Sequence, residues 1–409
     1  MEKQKNSPAL RFAEFTEGWV MKKLGELTDL ITKGTTPTNF VNEGIKFIKI
    51  ECFDGDKINP KKCLFIDDET HNKELKRSIL QEGDILFAIA GATIGKVNIV
   101  TNEILPANTN QALCIVRLRK NENLNFIFQV LKSVKMQKYI VDSISVGAQP
   151  NLNLEQMNNF SFFYPSKAEQ QKIATFFTAI DKKLSGLKEK KNLLEQYKKG
   201  AMQQLFAIAE TDGRPSVRFK NTEGGDFEDW EKKKLGDIGT FFSGGTPLTS
   251  KRQYFNGNIP FIRSGEIHSD KTEQFISEEG LKNSSAKIVE VGDLLYALYG
   301  ATSGEVGISK IKGAINQALL CIRTKMDNRF LNNFLFLNKE NIIKTYLQGG
   351  QGNLSADIIK SLVIPIPCLA EQTQIANYLS ALDEKIQGVS TQLEKMERWK
   401  KGLLQQMFV

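Results

Sequence analysis

The chain carries two versions of one text, and that duplication limits its possible folds more than any other feature. Ala168-Glu169-Gln170-Gln171-Lys172-Ile173-Ala174, then Ile180-Asp181-Lys182-Lys183, recurs as Ala370-Glu371-Gln372-Thr373-Gln374-Ile375-Ala376, then Leu382-Asp383-Glu384-Lys385. Each copy runs on to a shared ending, Lys199-Gly200 with Gln203-Gln204 and Lys401-Gly402 with Gln405-Gln406. A duplicated unit within one polypeptide implies a pseudo-two-fold object with two similar but unequal surfaces. Such an object suits a ligand that is itself split into two unequal parts.

The alignment extends through both halves. Pro8-Ala9-Leu10-Arg11-Phe12 matches Pro215-Ser216-Val217-Arg218-Phe219, and Trp19 with Leu24-Gly25 matches Trp230 with Leu235-Gly236. Gly34-Thr35-Thr36-Pro37 matches Gly244-Gly245-Thr246-Pro247. Gly83-Asp84 leading to Gly91–Gly95 matches Gly292-Asp293 leading to Gly300–Gly304. Asn110-Gln111-Ala112 and Asn151-Leu152 recur as Asn316-Gln317-Ala318 and Asn353-Leu354. Each repeat has about 200 residues, enough to bury its own core.

Up to Pro165 and Pro367 the text is strand-like, with runs such as Ile45–Ile50, Asp84–Ala90 and Leu113–Leu118 set between turn residues. One helix is predicted near Asn125–Tyr139, with a counterpart near Arg329–Tyr346. After the prolines the pattern turns helical. Ile173, Phe177, Ile180, Leu184, Leu187 and Leu194 form one apolar tract; Ile375, Leu379, Leu382, Ile386, Val389 and Leu393 form the other. Sustained heptads argue for helix pairing. Lys191, Lys198 and Lys400 interrupt the apolar rows, and Gly186 and Gly388 stand mid-helix, at about 1 kcal/mol each against Ala. At 1.5 Å per residue, a helix of roughly 40 residues is about 60 Å long. The expected fold is α+β: two similar globular domains separated by two long antiparallel, coiled-coil-like helices. The expected divisions are a first domain over 1–165, a helix over 166–210, a second domain over 211–366 and a helix over 367–409, with a turn around Thr211–Arg214.

Composition narrows the function classes. With 41% hydrophobic and 25% charged residues the chain reads as soluble and globular. No apolar stretch is long enough for a bilayer, and the N-terminus lacks a secretory pattern, so cytoplasm is the expected location and a membrane is not an expected partner. Five cysteines without a CxxC pair point to reduced thiols, and two histidines to no zinc site. A net charge of +8 favours an anionic partner, nucleic acid first.

Catalytic constellations are not evident. There is no Gly-x4-Gly-Lys-Ser/Thr loop, and Lys96 of the nearest imitation becomes Glu305 in the second copy. None of the eleven prolines are adjacent, which excludes the Asn/Asp-Pro-Pro-aromatic loop of amino-methyltransferases. Asp56 with Glu74 and Lys76 only loosely imitates a nuclease metal site. The reading is a chain with no catalytic and no metal-ligating residues. What remains is loops rich in Gly, Thr, Ser and Lys, whose donors suit phosphates and base edges. In the first copy the candidate DNA contacts are Lys33, Thr35, Thr36, Lys49, Lys57, Lys61, Lys62, Thr93 and Lys96. In the second they are Ser243, Thr246, Lys251, Arg252, Arg263, His268, Thr302 and Ser303. Arg263 is suited to reading guanine. Asn110-Gln111 and Asn316-Gln317, identical in both copies, read as structural amides closing a turn.

The ordered motifs, occurring twice, resemble the specificity subunits of type I restriction-modification systems. The resemblance rests on Pro8–Phe12, Trp19, Leu24-Gly25, Gly34–Pro37, Gly83-Asp84 with Gly91–Gly95, and Ala168–Ile173, each with its copy. It implies two target-recognition domains, each reading one half of a split, asymmetric site on double-stranded DNA. It implies two modification subunits and restriction subunits as partners, which would carry S-adenosylmethionine, ATP and Mg; no cofactor is expected in this chain. Two other readings share the residue pattern: a stand-alone bipartite DNA-binding regulator and a coiled-coil interaction scaffold.

Overall fold

The computed structural model describes residues 7–144, 151–206, 215–346 and 353–408. The turn expected around Thr211–Arg214 lies outside the described residues. The chain divides into two compact units, one of Met1–Lys188 with Thr391–Val409, the other of Glu189–Ser390. Each unit therefore takes part of both long helices, Lys167–Leu205 and Leu369–Met407.

In the first unit a four-stranded antiparallel sheet has the spatial order Thr28–Lys33, Leu113–Leu118, Ile85–Ala88, Val97–Ile99. Strand Ile85–Ala88 is buried at all four positions. The two-residue period of a strand explains why. Ile85 and Phe87, with Cys114 and Val116, face one apolar cluster, built with helix Leu124–Lys132 and the long helices. Leu86 and Ala88, with Leu113 and Ile115, face another, shared with Ile48 and Ala107. Behind that second face lies a mixed sheet in which Ile45–Ile48 pairs parallel to Ala107–Thr109 and antiparallel to Leu64–Ile66.

The second unit repeats the plan. Gly239–Ser243, Leu319–Thr324, Leu294–Ala297 and Val306–Ile308 form the sheet in the same order. Leu294 and Tyr296 face the helices, while Leu295 and Ala297 face Ile262, Ile315 and Val289. The units differ in what decorates the mixed sheet. The first adds a hairpin, Phe53–Asp54 with Lys57–Ile58. The second has a four-stranded mixed sheet and the short helix Glu278–Lys282.

The single helix expected near Asn125–Tyr139 is two, Leu124–Lys132 and Val134–Ser143. Ser133 is the reason: its backbone is extended at ψ 160°, and its hydroxyl accepts a hydrogen bond from Met136 N. A Ser N-cap satisfies a helix-start donor that would otherwise be orphaned. The counterpart is likewise two helices, Asn328–Leu337 and Lys339–Tyr346. Both 39-residue helices run unbroken through Gly186 and Gly388, where an added Cβ would meet nothing within 4 Å.

Contacts between the helices run antiparallel within each unit. In the first, Phe177 packs on Phe408 and Phe176 on Trp399, while Lys188 pairs with Glu397. In the second, Tyr197 meets Tyr378 and Lys198 meets Asp383. Ile173, Phe177, Ile180 and Leu184 are buried in the first unit's main cluster, with Leu393 packed half-buried against it. Ile375, Leu379 and Leu382 are buried in the second unit's. Val389 is also buried, and Leu187, Leu194 and Ile386 are half-buried. The lysines on the apolar rows have partners. Lys400, 7% exposed, pairs with Asp181, as Lys198 does with the equivalent Asp383 at 2.6 Å. Lys191 is bridged to Glu195 one turn on.

Candidate nucleic-acid interface

The repeated motifs are the fastenings that hold the loops. Glu169, in the first turn of its helix and 1% exposed, accepts hydrogen bonds from Arg11 Nε and Nη2, both at 2.7 Å, and from Trp19 Nε1 at 3.0 Å. Glu371 does the same for Arg218, at 3.0 and 2.8 Å, and Trp230, at 3.0 Å. A carboxylate at a helix start is favoured by the helix dipole, and here it also fixes the segment entering each domain. Gln170 and Gln372 each donate to a proline carbonyl, Pro165 O and Pro367 O, at 2.8 Å. Asp84 receives Arg117 Nε at 2.7 Å, and Asp293 receives Arg323 Nε at 2.8 Å. Burial pushes the Asp293 carboxyl up, but the Arg323 guanidinium and the Glu290 N–H outweigh it and hold the group below its ordinary value.

Glycine geometry then brings the loops together. Gly91 and Gly95 have φ of 74° and 88°, and Gly300 and Gly304 have 85° and 80°, a region other residues rarely adopt. At Gly34 a Cβ would stand 1.8 Å from Thr109 O, and at Gly244 1.7 Å from Ile315 O. Only glycine permits that approach. Four segments consequently converge at one end of the strands of each sheet. In the first unit Ile89 N donates to Ala112 O at 2.9 Å, and Leu152 N to Ile89 O at 2.8 Å. In the second, Leu298 N donates to Ala318 O and Leu354 N to Leu298 O, each at 2.8 Å.

Of the candidate contacts, Lys33, Thr35, Thr36, Thr93 and Lys96 in the first unit and Ser243, Thr246, Thr302 and Ser303 in the second lie on these converging loops, and the others lie on separate loops. Lys33, Thr35, Thr36 and Lys96 are exposed, and Thr93 is half-buried. Lys33 borders a 510 Å³ cleft with Gln111, Asn151 and Asn153. Lys57 is exposed on the hairpin, and Lys61 and Lys62 on the turn after it, with Lys62 3.7 Å from Asp54. Lys49 is half-buried beside them. In the second unit Thr246 and Arg252 are exposed, while Ser243 and Thr302 are half-buried. Ser303 donates to Leu298 O at 3.1 Å. Lys251 is turned onto Tyr254, whose OH is at 3.1 Å. Arg263 is held by Glu266 at 3.2 Å and Glu273 at 2.7 Å. His268 lies 3.2 Å from Glu305, which also receives Lys339. The hydrogen bond from Lys339 holds the Glu305 carboxyl below its ordinary value, with His268 adding to it against burial.

The repeated amides divide their work. Asn110 Oδ1 accepts from Ala112 N at 3.2 Å, and Asn316 Oδ1 from Ala318 N at 3.1 Å, closing the turn in both units. Gln111 and Gln317 are exposed and instead accept a threonine hydroxyl each, from Thr36 at 2.5 Å and Thr246 at 2.7 Å. Their identity in the two copies predicts a structural role for both amides. The separate role of Gln111 is visible only once Thr36, 75 positions away, is seen beside it.

The nuclease-like triplet does not form a site. Asp56 is paired with Lys132, and Glu74 accepts from Thr38 N. Among the described residues no group of three His, Cys, Asp or Glu side chains is placed to hold a metal ion. No described helix is long and apolar enough to cross a membrane.

The type I restriction modification DNA specificity domain matches this chain twice, over residues 16–196 and 227–398. The putative type I restriction enzyme MjaX specificity subunit of Methanocaldococcus jannaschii is 27% identical over 422 residues, spanning 98% of this chain and 95% of that protein. The MjaIX specificity subunit of the same organism is 30% identical over 208 residues, 48% of each chain. Among solved structures, the S subunit of a type I restriction-modification system from M. genitalium superposes with a TM-score of 0.61 at 16% identity, covering 98% of this chain and 99% of that one. A chain from a structure of complex assembly and conformational transition in a type I system gives 0.57 at 19% identity, covering 96% and 98%. At those identities the likeness is one of fold.

Proposed function

This chain belongs to the family of type I restriction-modification DNA specificity domains, of which it holds two copies, and on that footing we propose that each copy reads one half of a split, asymmetric DNA site. The chain is the non-catalytic specificity subunit. Two modification subunits and the restriction subunits bring S-adenosylmethionine, ATP and Mg to the site that it chooses, on DNA in the cytoplasm. The two 39-residue helices set the number of unread base pairs between the half-sites and offer the docking surface for the modification subunits.

The observation that carries this reading is the contrast inside each unit. Fastenings such as Arg11–Glu169–Trp19 and Arg218–Glu371–Trp230 are alike, whereas loop positions differ, exposed Lys96 against half-buried Glu305 and hairpin against helix. One scaffold presenting two different surfaces is what two unequal half-sites require. Mismatches in such a site cost about 1–3 kcal/mol per base pair, roughly additively, and phosphate contacts make binding salt-dependent. The candidate positions from Lys33 to Lys96 serve the first half-site and those from Ser243 to Ser303 the second.

Mapping methylated adenines in a host carrying the system is expected to return a two-part motif with a fixed gap. Removing one helical turn from both long helices is expected to change the gap and leave both parts intact. A contiguous motif, or an unaltered gap, contradicts the proposal.

A further inference from the structure

One exposed feature of the converging loops is the same in both units. Thr36 donates to Gln111 Oε1 and Thr246 donates to Gln317 Oε1, in the same place relative to the repeated glycines and the Asn-Leu segment. Positions around it have diverged: Thr35 against Gly245, Ile94 against Ser303, Lys96 against Glu305. Ala90 is replaced by Tyr299, beside Gln317.

The buried pairs of the scaffold have an evident reason to stay alike. A hydrogen bond between two exposed neutral side chains does not, since it adds little to folding. Readers of two different base sequences differ where they read. What both half-sites have in common is the sugar–phosphate backbone, and contacts to it set register without carrying sequence information. The chemistry fits. With Oε1 accepting the threonine hydroxyl, the amide still offers Nε2, a donor with no negative charge to repel an anionic oxygen. In the first unit Lys33 adds a cation on the same cleft as Gln111, and in the second Ser243 supplies a hydroxyl at the equivalent place.

Building on the DNA-reading role, we propose that the Thr36–Gln111 and Thr246–Gln317 pairs are sequence-independent phosphate contacts, one per half-site, which set the register of each unit on the duplex while the diverged loop positions read bases. The two pairs are positioning elements. They explain how two units with different specificities approach their half-sites in a common orientation.

The test uses the full chain assembled with its modification subunits and two labelled duplexes, one holding the methylated site and one of scrambled sequence, titrated over a range of NaCl. Gln111→Leu and Gln317→Leu are each expected to weaken binding to both duplexes together, by about 3- to 10-fold, with the ratio between the duplexes and the salt slope unchanged, because a neutral donor releases no counterion. Gln111→Glu, of the same size, is expected to weaken both further. Lys33→Met is expected to lower the slope by about 0.9, the signature of one lost charged contact. Loss confined to the specific duplex would make Gln111 a base reader and overturn the inference, as would unchanged affinity in both glutamine variants. A wild-type complex without preference for its own site would instead bring down the DNA-reading role on which the inference rests.

Discussion

The two units are most alike where they are buried and charged, and least alike where they are exposed. Two arrangements around a buried carboxylate are duplicated, Arg11–Glu169 with Arg218–Glu371 and Arg117–Asp84 with Arg323–Asp293; a third, Lys400–Asp181 with Lys198–Asp383, recurs with Lys400 buried in the first unit and Asp383 exposed in the second. Buried charges are held to their partners because losing one leaves the other uncompensated. A loop in water has no such constraint. The first unit carries a hairpin at Phe53–Ile58 and the second the short helix Glu278–Lys282. The difference teaches that duplication here preserved the way loops are mounted and released the chemistry mounted on them.

The comparison breaks most readily at the shared fastenings. Glu169→Ala leaves Arg11 and Trp19 without their acceptor in a buried site, and about 3 kcal/mol of stability should go with it. Glu371→Ala should lose a similar amount, because Arg218 and Trp230 are held by the same geometry. Hydrogen exchange read separately on strands Leu113–Leu118 and Leu319–Thr324 checks this. Unequal losses would mean the repeats do not share an anchoring scheme.

Acid sharpens the contrast. In the second unit Asp293 and Glu305 are both held below their ordinary carboxyl values, 3.8 and 4.5. A depressed folded value stabilises the folded state above the ordinary value, and that stability is lost as pH falls through the folded one. The second unit should therefore loosen on acidification below about pH 4. Lys339→Met, which removes the main support of Glu305, should reduce the share of that loss that Glu305 contributes. The first unit has Lys96 at the position of Glu305, and the depressed carboxylate on the same cleft is Asp56, which burial pushes up and Lys132 brings down. Exchange rates that rise equally in variant and wild type would remove Glu305 from the account.

The smallest effect on folding is expected at Lys96. It is exposed, so Lys96→Glu should alter stability by no more than about 0.5 kcal/mol. Binding of the complex to its DNA should nonetheless weaken, with a shallower salt dependence. Unchanged binding would take Lys96 out of the interface.

Much of this mounting is legible in the linear text. The repeat alignment alone picks out Arg11, Trp19, Glu169 and Asp84, and the heptads place Ile173 to Leu184 and Ile375 to Leu382 on apolar rows that the structure buries. What escapes is pairing through space. Lys400 looks like a flaw in an apolar row until Asp181, 219 positions away, is seen against it. Arg263 looks like an unencumbered reader, but Glu266 and Glu273 hold it. Ser133 divides a helix because a capping hydroxyl competes with helix continuation, a choice that periodicity does not encode.

The most direct test of two independent readers on one scaffold is to replace residues 11–160 with the matching domain of another family member and map the methylated adenines again. The account predicts that one half of the motif changes while the other half and the gap between them stay. Changes in both halves would contradict it.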